Sequence, residues 1–275
     1  MNIVNTTSVF PPCWDTADML RRLRTASFTH LDLAFDYCVQ KPDYPFMTDK
    51  YERWATDLKK SADALGLVFT HGHAPFSADR RGAIVEKTLR CAAVLGIQYL
   101  VVHPLYKNRD GENYTREEFL SVNRDAYLPL VEEAKKHGII ILTENLLWGE
   151  SIKFSAISEL VERVDSPFFG WCYDTGHGHC QGEALDELLS CPRVPLSLHI
   201  HDNNGNRRDE HLIPGDGTLD FEKCFTLLKK IGYAGEFVLE AHHQCVDAED
   251  SERDAILDRL YKKADALKAI HFDSV

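Results

Sequence analysis

The residues most able to do chemistry stand at the ends of short apolar runs. "TEN" carries Glu144, "YDTGHGH" carries Asp174, His177 and His179, "LHIHDN" carries His199, His201 and Asp202, and "LEAHH" carries Glu240 and His242. Earlier runs end in "THGHAP", with His71 and His73, and "VVHP", with His103. The loop "RRDEHLIPGDG" adds Asp209 and His211. Carboxylates gathered in one buried place repel each other unless positive charge sits among them. A divalent cation held by Glu144, Asp174, His199 and Glu240 meets that need most simply. Imidazole mixed with carboxylate, without thiolate, suits zinc, manganese, iron or cobalt better than calcium; magnesium is also compatible.

These residues are far apart in the chain, so the fold must bring the run ends together. The recurring unit is a β-branched apolar run, a polar loop and an amphipathic helix. Strands are expected at "NIVNTTSV", "HLDLAF", "LVFTHGH", "YLVVHP", "GIIILTEN", "FFGWCYD", "LSLHIHD" and "EFVLEAH". Helices are expected at "TADMLRRLRTA", "DKYERWATDLKKSADALG", "RGAIVEKTLRCAAVLG", "REEFLSVNRDAYLPLVEEAKKHG", "ISELVERV", "EALDELLS", "DFEKCFTLLKKIG" and "DAILDRLYKKADALKAI". Gly66, Gly96 and Gly138 read as helix stops, because glycine adopts left-handed backbone angles cheaply. Apolar strands alternating with helices imply a parallel sheet covered by helices. Eight such units in 275 residues predict a single-domain α/β fold, a closed (β/α)8 TIM barrel spanning 1–275. An open doubly wound sheet would carry a Gly-rich phosphate turn after its first strand, and "SVFPPCW" is not one.

In such a barrel the working face lies at the C-terminal ends of the strands, where all these residues fall. His71 and His201 are expected to point away from their neighbours His73 and His199, leaving one of each pair for the lumen. His30, His137 and His271 read as surface or helix-end residues. His179, His242 and His243 read as supporting or solvent-facing groups, Cys172 as barrel wall, and Gly215-Asp216-Gly217 as a turn. Trp14, Phe35, Phe76 and Trp148 are candidate apolar walls for a substrate, and Arg207 or Arg208 a candidate partner for its hydroxyls or a phosphate.

Composition narrows the function. There are 31 basic against 43 acidic residues, a formal charge of −12, which argues against a protein that grips nucleic acid through phosphates. Eight scattered cysteines, none in a CxxC pair, read as reduced thiols of a cytoplasmic protein. No basic start followed by an apolar stretch suggests a signal peptide. No apolar run approaches the ~18 residues of a membrane span.

In this order, "TEN", "YDTGH", "LHIHD", "DEHLIPGDG" and "VLE" resemble the xylose isomerase-like TIM barrel superfamily, over nearly the whole chain. That superfamily includes sugar phosphate isomerases and epimerases, inosose dehydratases and the endonuclease IV family. The resemblance implies one divalent metal on Glu144, Asp174, His199 and Glu240, with Glu144 and Glu240 also moving the substrate's proton as catalytic residues. It implies substrate contacts from His177 and from Glu150. The endonuclease branch implies additional metal ions, with His73, His103, His177, Asp209 and His211 as further ligands. The expected activity is therefore isomerisation or epimerisation of a small-molecule sugar or sugar phosphate, by proton transfer through a metal-stabilised enediolate. The alternatives are a multinuclear zinc phosphodiesterase and a sugar-binding barrel without turnover. Barrels of this kind often pair, so a homo-oligomer is compatible.

Overall fold

The computed structural model describes residues 1–78, 82–182 and 185–273. The strands are β1 (Ile3–Thr6), β2 (His30–Ala34), β3 (Val68–Ser77), β4 (Tyr99–His103), β5 (Ile140–Glu144), β6 (Phe169–Asp174), β7 (Ser197–His199) and β8 (Phe237–Leu239). The helices are α1 (Thr16–Thr25), α2 (Phe35–Cys38), α3 (Tyr51–Ala64), α4 (Ala83–Leu95), α5 (Arg116–Lys135), α6 (Phe154–Val164), α7 (Thr175–Gln181), α8 (Phe221–Lys230), α9 (His243–Val246) and α10 (Asp250–Lys268). All strand pairings are parallel, in the order β7-β6-β5-β4-β3-β2-β1-β8. A parallel bridge between Ile200 and Leu239 joins the two ends, so the sheet closes into the expected (β/α)8 barrel.

Local sequence sets most element ends. Thr115 and Glu118 form a reciprocal capping box at the start of α5, and Asp15 and Asp220 cap α1 and α8. Gly96 ends α4 at φ 82°, in the left-handed region. The expected helix at "EALDELLS" is instead a 3-10 helix, Leu185–Ser190, which the nearby Pro192 keeps short. The expected starts of two helices, at Arg81 and Glu183, lie outside the described residues. No helix among the described residues is long and apolar enough to cross a membrane.

Strand parity positions the site. Successive side chains alternate faces, so residues two apart share one. Trp171 and Tyr173 of β6 are buried outward, in the core between sheet and helices. Cys172 faces inward, packed with Val101 of β4 and Leu142 of β5 in a separate lumenal cluster. The same parity places His103, Glu144 and Asp174 one layer higher, at the mouth. Burial pushes the Cys172 thiol up to about 12, and it packs among apolar side chains as part of the barrel wall.

Parity also corrects the expectation for the histidine pairs. His71 and His73 lie two apart on β3 and so share a face. His71 sits a layer deeper, stacked on Tyr99 at 5.0 Å, and burial pushes it down to about 3. His201 lies past the end of β7, where strand alternation has ended, and it turns towards the site beside His199.

Candidate metal centre and its cavity

Asp174 shows how local structure builds the centre. It ends β6 and caps α7, its Oδ1 accepting the His177 backbone N–H at 2.6 Å. "YDTGHGH" is thus a strand that turns directly into a helix, and that turn puts Asp174 and His177 on one rim. Asn145 secures the junction: its side-chain amide donates to the Asp174 carbonyl at 2.9 Å, and its Oδ1 accepts the Asp174 N–H at 2.8 Å.

Ligand atoms of Glu144, Asp174, His199 and Glu240, all buried or nearly so, lie within 4.8 Å of one another. His199 Nδ1 stands 2.9 Å from Glu144 Oε1, 3.3 Å from Glu240 Oε2 and 4.0 Å from Asp174 Oδ2. Burial opposes the charge on Glu144, but His199, His103 and His73 hold it well below the ordinary carboxylate range. His199 is driven the other way: burial opposes its charge, while Cys172, Glu240 and Glu144 raise it well above the imidazole range. Three carboxylates around one imidazole leave net negative charge in a buried place, so the donor set fits a divalent cation.

Two further groups adjoin the first. His73, His103 and Glu144 converge within 4.8 Å, with the two imidazole Nε2 atoms 3.0 Å apart. His177, His201, Asp209 and His211 form the other, with Asp209 Oδ2 3.2 Å from His177 Nε2 and 3.0 Å from His211 Nε2. In that group His177 Nδ1 faces the Asn145 carbonyl at 2.9 Å and His211 Nδ1 the Glu240 carbonyl at 2.8 Å. Each carbonyl can only accept, so the proton sits on Nδ1 and Nε2 is left for a ligand, the arrangement common among metal-binding histidines. His211 holds φ at 41°, a left-handed conformation that costs a non-glycine residue roughly 1–2 kcal/mol. Asp202 organises its loop by accepting the N–H groups of Gly215 and Gly217 at 2.9 Å each, which makes Gly215-Asp216-Gly217 the expected turn.

His201 is the member of this group that sequence reasoning set aside. Its Nε2 lies 3.0 Å from Asp174 Oδ1, and its ring stacks on His211 at 4.0 Å. Gly176 leaves room for it, since a Cβ there would run into the imidazole. Gly176→Ala is therefore expected to destabilise the protein by about 1–3 kcal/mol and to weaken zinc affinity, as read by thermal unfolding and a zinc titration.

A cavity of about 960 Å³ opens beside the centre, lined at one end by Asp36, His73 and His103 and elsewhere by Lys107, Arg109 and Tyr106. Trp148 and Phe76 also line it, Trp148 half exposed and stacked on Tyr106 at 5.0 Å. The other expected contacts lie elsewhere. Phe35 is fully buried in the core, and Trp14 packs on Phe10 and Arg253 in a separate small pocket. Glu150 pairs with Lys153 at 2.6 Å and Arg116 at 3.5 Å. Arg207 and Arg208 are exposed. His179 bonds Thr218 at 3.0 Å, and His242 packs on His211 with its Nδ1 2.9 Å from the Glu240 carbonyl, both as supporting groups.

The profile of the xylose isomerase-like TIM barrel family matches residues 20–263. The uncharacterised protein MJ1311 of Methanocaldococcus jannaschii is 33% identical over 187 residues, 61% of this chain and 62% of that protein. The inosose isomerase of Bacillus licheniformis is 26% identical over 149 residues, 51% and 52% of the two chains. The matches thus span about half to three-fifths of these relatives' own length. The crystal structure of IOLI protein with a zinc atom superposes with a TM-score of 0.81, at 17% identity, over 100% of both chains, a likeness of fold.

Proposed function

Because the chain belongs to the xylose isomerase-like TIM barrel family, we propose that it is a divalent-metal-dependent isomerase or epimerase of sugars or sugar phosphates. The observation that carries this reading is the pair of carboxylates converging on one point: Glu144 at 2.9 Å and Glu240 at 3.3 Å from the same His199 nitrogen. The similarity to the inosose isomerase supports the same class, and the zinc atom in the IOLI barrel is consistent with a divalent metal in this fold.

Glu144, Asp174, His199 and Glu240 would hold the cation. When bound, it supplies Lewis-acid stabilisation of the negative charge that develops on substrate oxygens. The protein's own groups do the rest. One of Glu144 and Glu240 takes the proton from the carbon beside the carbonyl, and the other returns one. In the metal-free protein burial opposes their charge, but neighbouring imidazoles hold both well below the ordinary carboxylate range, so both are ionised at neutral pH. His177 orients a substrate hydroxyl, and Trp148 and Tyr106 cover the sugar's C–H face and exclude water. The test is isotopic: metal-loaded protein incubated in heavy water with a panel of ketoses and their phosphates. Deuterium appearing beside the carbonyl supports the reading, and none across the panel overturns it.

The two additional ligand groups favour a second reading, hydrolysis of a phosphoester at a multinuclear site. In that reading Glu144 belongs to two metal positions at once and is not free to move a proton. Release of phosphate or alcohol from phosphoesters, without carbon-bound exchange, would select it.

A further inference from the structure

Asp36 has no part in the chemistry described so far. It follows β2 within the short helix α2 and lines the large cavity together with His73 and His103. Its Oδ1 is buried and has no hydrogen-bond partner. It belongs to none of the groups whose ligand atoms converge within 4.8 Å, although those groups take in the other rim carboxylates, Glu144, Asp174, Asp209 and Glu240. A buried acceptor without a donor is costly and uncommon in folded proteins, so one kept at a cavity wall needs an explanation. Asp36 joins none of the ligand groups, and it lines the space a ligand would fill.

We propose that Asp36 accepts a hydrogen bond from a hydroxyl of the substrate and so sets which polyols the site takes. The assignment rests on the reading above that the substrate is a sugar. Among the described residues no donor reaches Asp36 Oδ1, which leaves that place to the ligand. His73, His103 and Glu240 act electrostatically on Asp36; both histidines are ligand candidates with their Nε2 atoms turned to each other and to Glu144, and Glu240 is itself a carboxylate. A sugar hydroxyl lying between the imidazole end and the Tyr106–Trp148 face would meet the carboxylate from the open side. Because the acceptor is a carboxylate oxygen otherwise without a donor, the contact discriminates between a ligand that carries the hydroxyl and one that lacks it.

The experiment is a binding cycle on metal-loaded protein, by calorimetry, with ketohexoses, ketopentoses and their single-deoxy analogues. Asp36→Asn should weaken the parent sugar about tenfold or more, and leave unchanged the affinity for the one analogue lacking the contacted hydroxyl. Metal content and thermal midpoint should stay at the wild-type values, because Asp36 belongs to none of the ligand groups. Equal weakening of every analogue, or loss of metal in the variant, overturns the assignment and leaves the isomerase reading standing. Binding with this pattern but without carbon-bound exchange overturns the isomerase reading and leaves Asp36 as a binding residue. A wild type that binds none of the panel overturns both.

Discussion

Replacing Glu144 with Gln is expected to lower turnover by roughly 10²–10⁴-fold, the usual contribution of a positioned proton-transfer group. Gln keeps the size of the side chain and can still accept a hydrogen bond, but it cannot carry a proton. Glu144 is 1% exposed, with Oε1 2.9 Å from His199 Nδ1 and Oε2 3.1 Å from His103 Nε2. Gln removes one anionic ligand from the centre, so the variant must be reloaded and its metal content measured beside its rate. A metal-replete Glu144→Gln that still turns over sugar would remove Glu144 from the mechanism. Glu240→Gln separates the two roles. If Glu144 takes the first proton, Glu240→Gln still exchanges that proton with heavy water but forms no product.

The second large effect is on stability. A ligand that binds only the folded chain stabilises it by about 4 kcal/mol at a thousand times its dissociation constant. For a chain of this size that is a fall of roughly 8–16 °C in thermal midpoint when a chelator strips the metal. The pH dependence has a definite sign. His73 is buried, which opposes its charge, but Glu144, Asp36 and Glu240 raise it to about 9. Burial likewise opposes charge on His177, His199 and His211, and their carboxylate neighbours raise all three above 6.5. Stability from these raised groups is fully present below about 6.5 and is lost as pH rises through the folded value, about 9 for His73. Glu144 and Glu240 are held well below 4.5, so their contribution is present above that value and is lost as pH falls. His71 and His242, both pushed down to about 3 by burial, resist protonation in the fold and so take stability away as pH falls below about 6.5. The metal-free protein should therefore be most stable near pH 6.5. Metal needs the imidazoles deprotonated, so binding releases protons and the gap between loaded and stripped protein widens up to about pH 9. Thermal midpoints across pH, with and without chelator, measure this, and a gap that narrows with rising pH would contradict it.

The rim was legible because barrel geometry converts sequence position into place. A polar residue ending an apolar strand stands at the C-terminal mouth, and parity with Leu142 and Cys172 turns Glu144 and Asp174 into the lumen. His201, Asp32 and Asp36 were not read this way. His201 lies beyond β7, where parity assigns no direction, and its partner His211 comes from a distant loop. Asp32 and Asp36 did carry a signal, two acids within "HLDLAFD", otherwise an apolar wall. Asp32 is 1% exposed with neither oxygen paired, and burial pushes it up to about 6. The family resemblance implies a substrate contact for Glu150, but the turn after β5 places it beside Lys153 and Arg116. Such captures depend on which cations the fold brings near, which spacing within one loop cannot encode.

The most direct test of the centre is elemental analysis of purified protein dialysed against zinc or manganese. About one tightly held divalent ion per chain, lost in Asp174→Asn, is the predicted result, and up to three would mark the adjoining groups as sites as well. A wild-type chain that retains no divalent metal would contradict the account at its root.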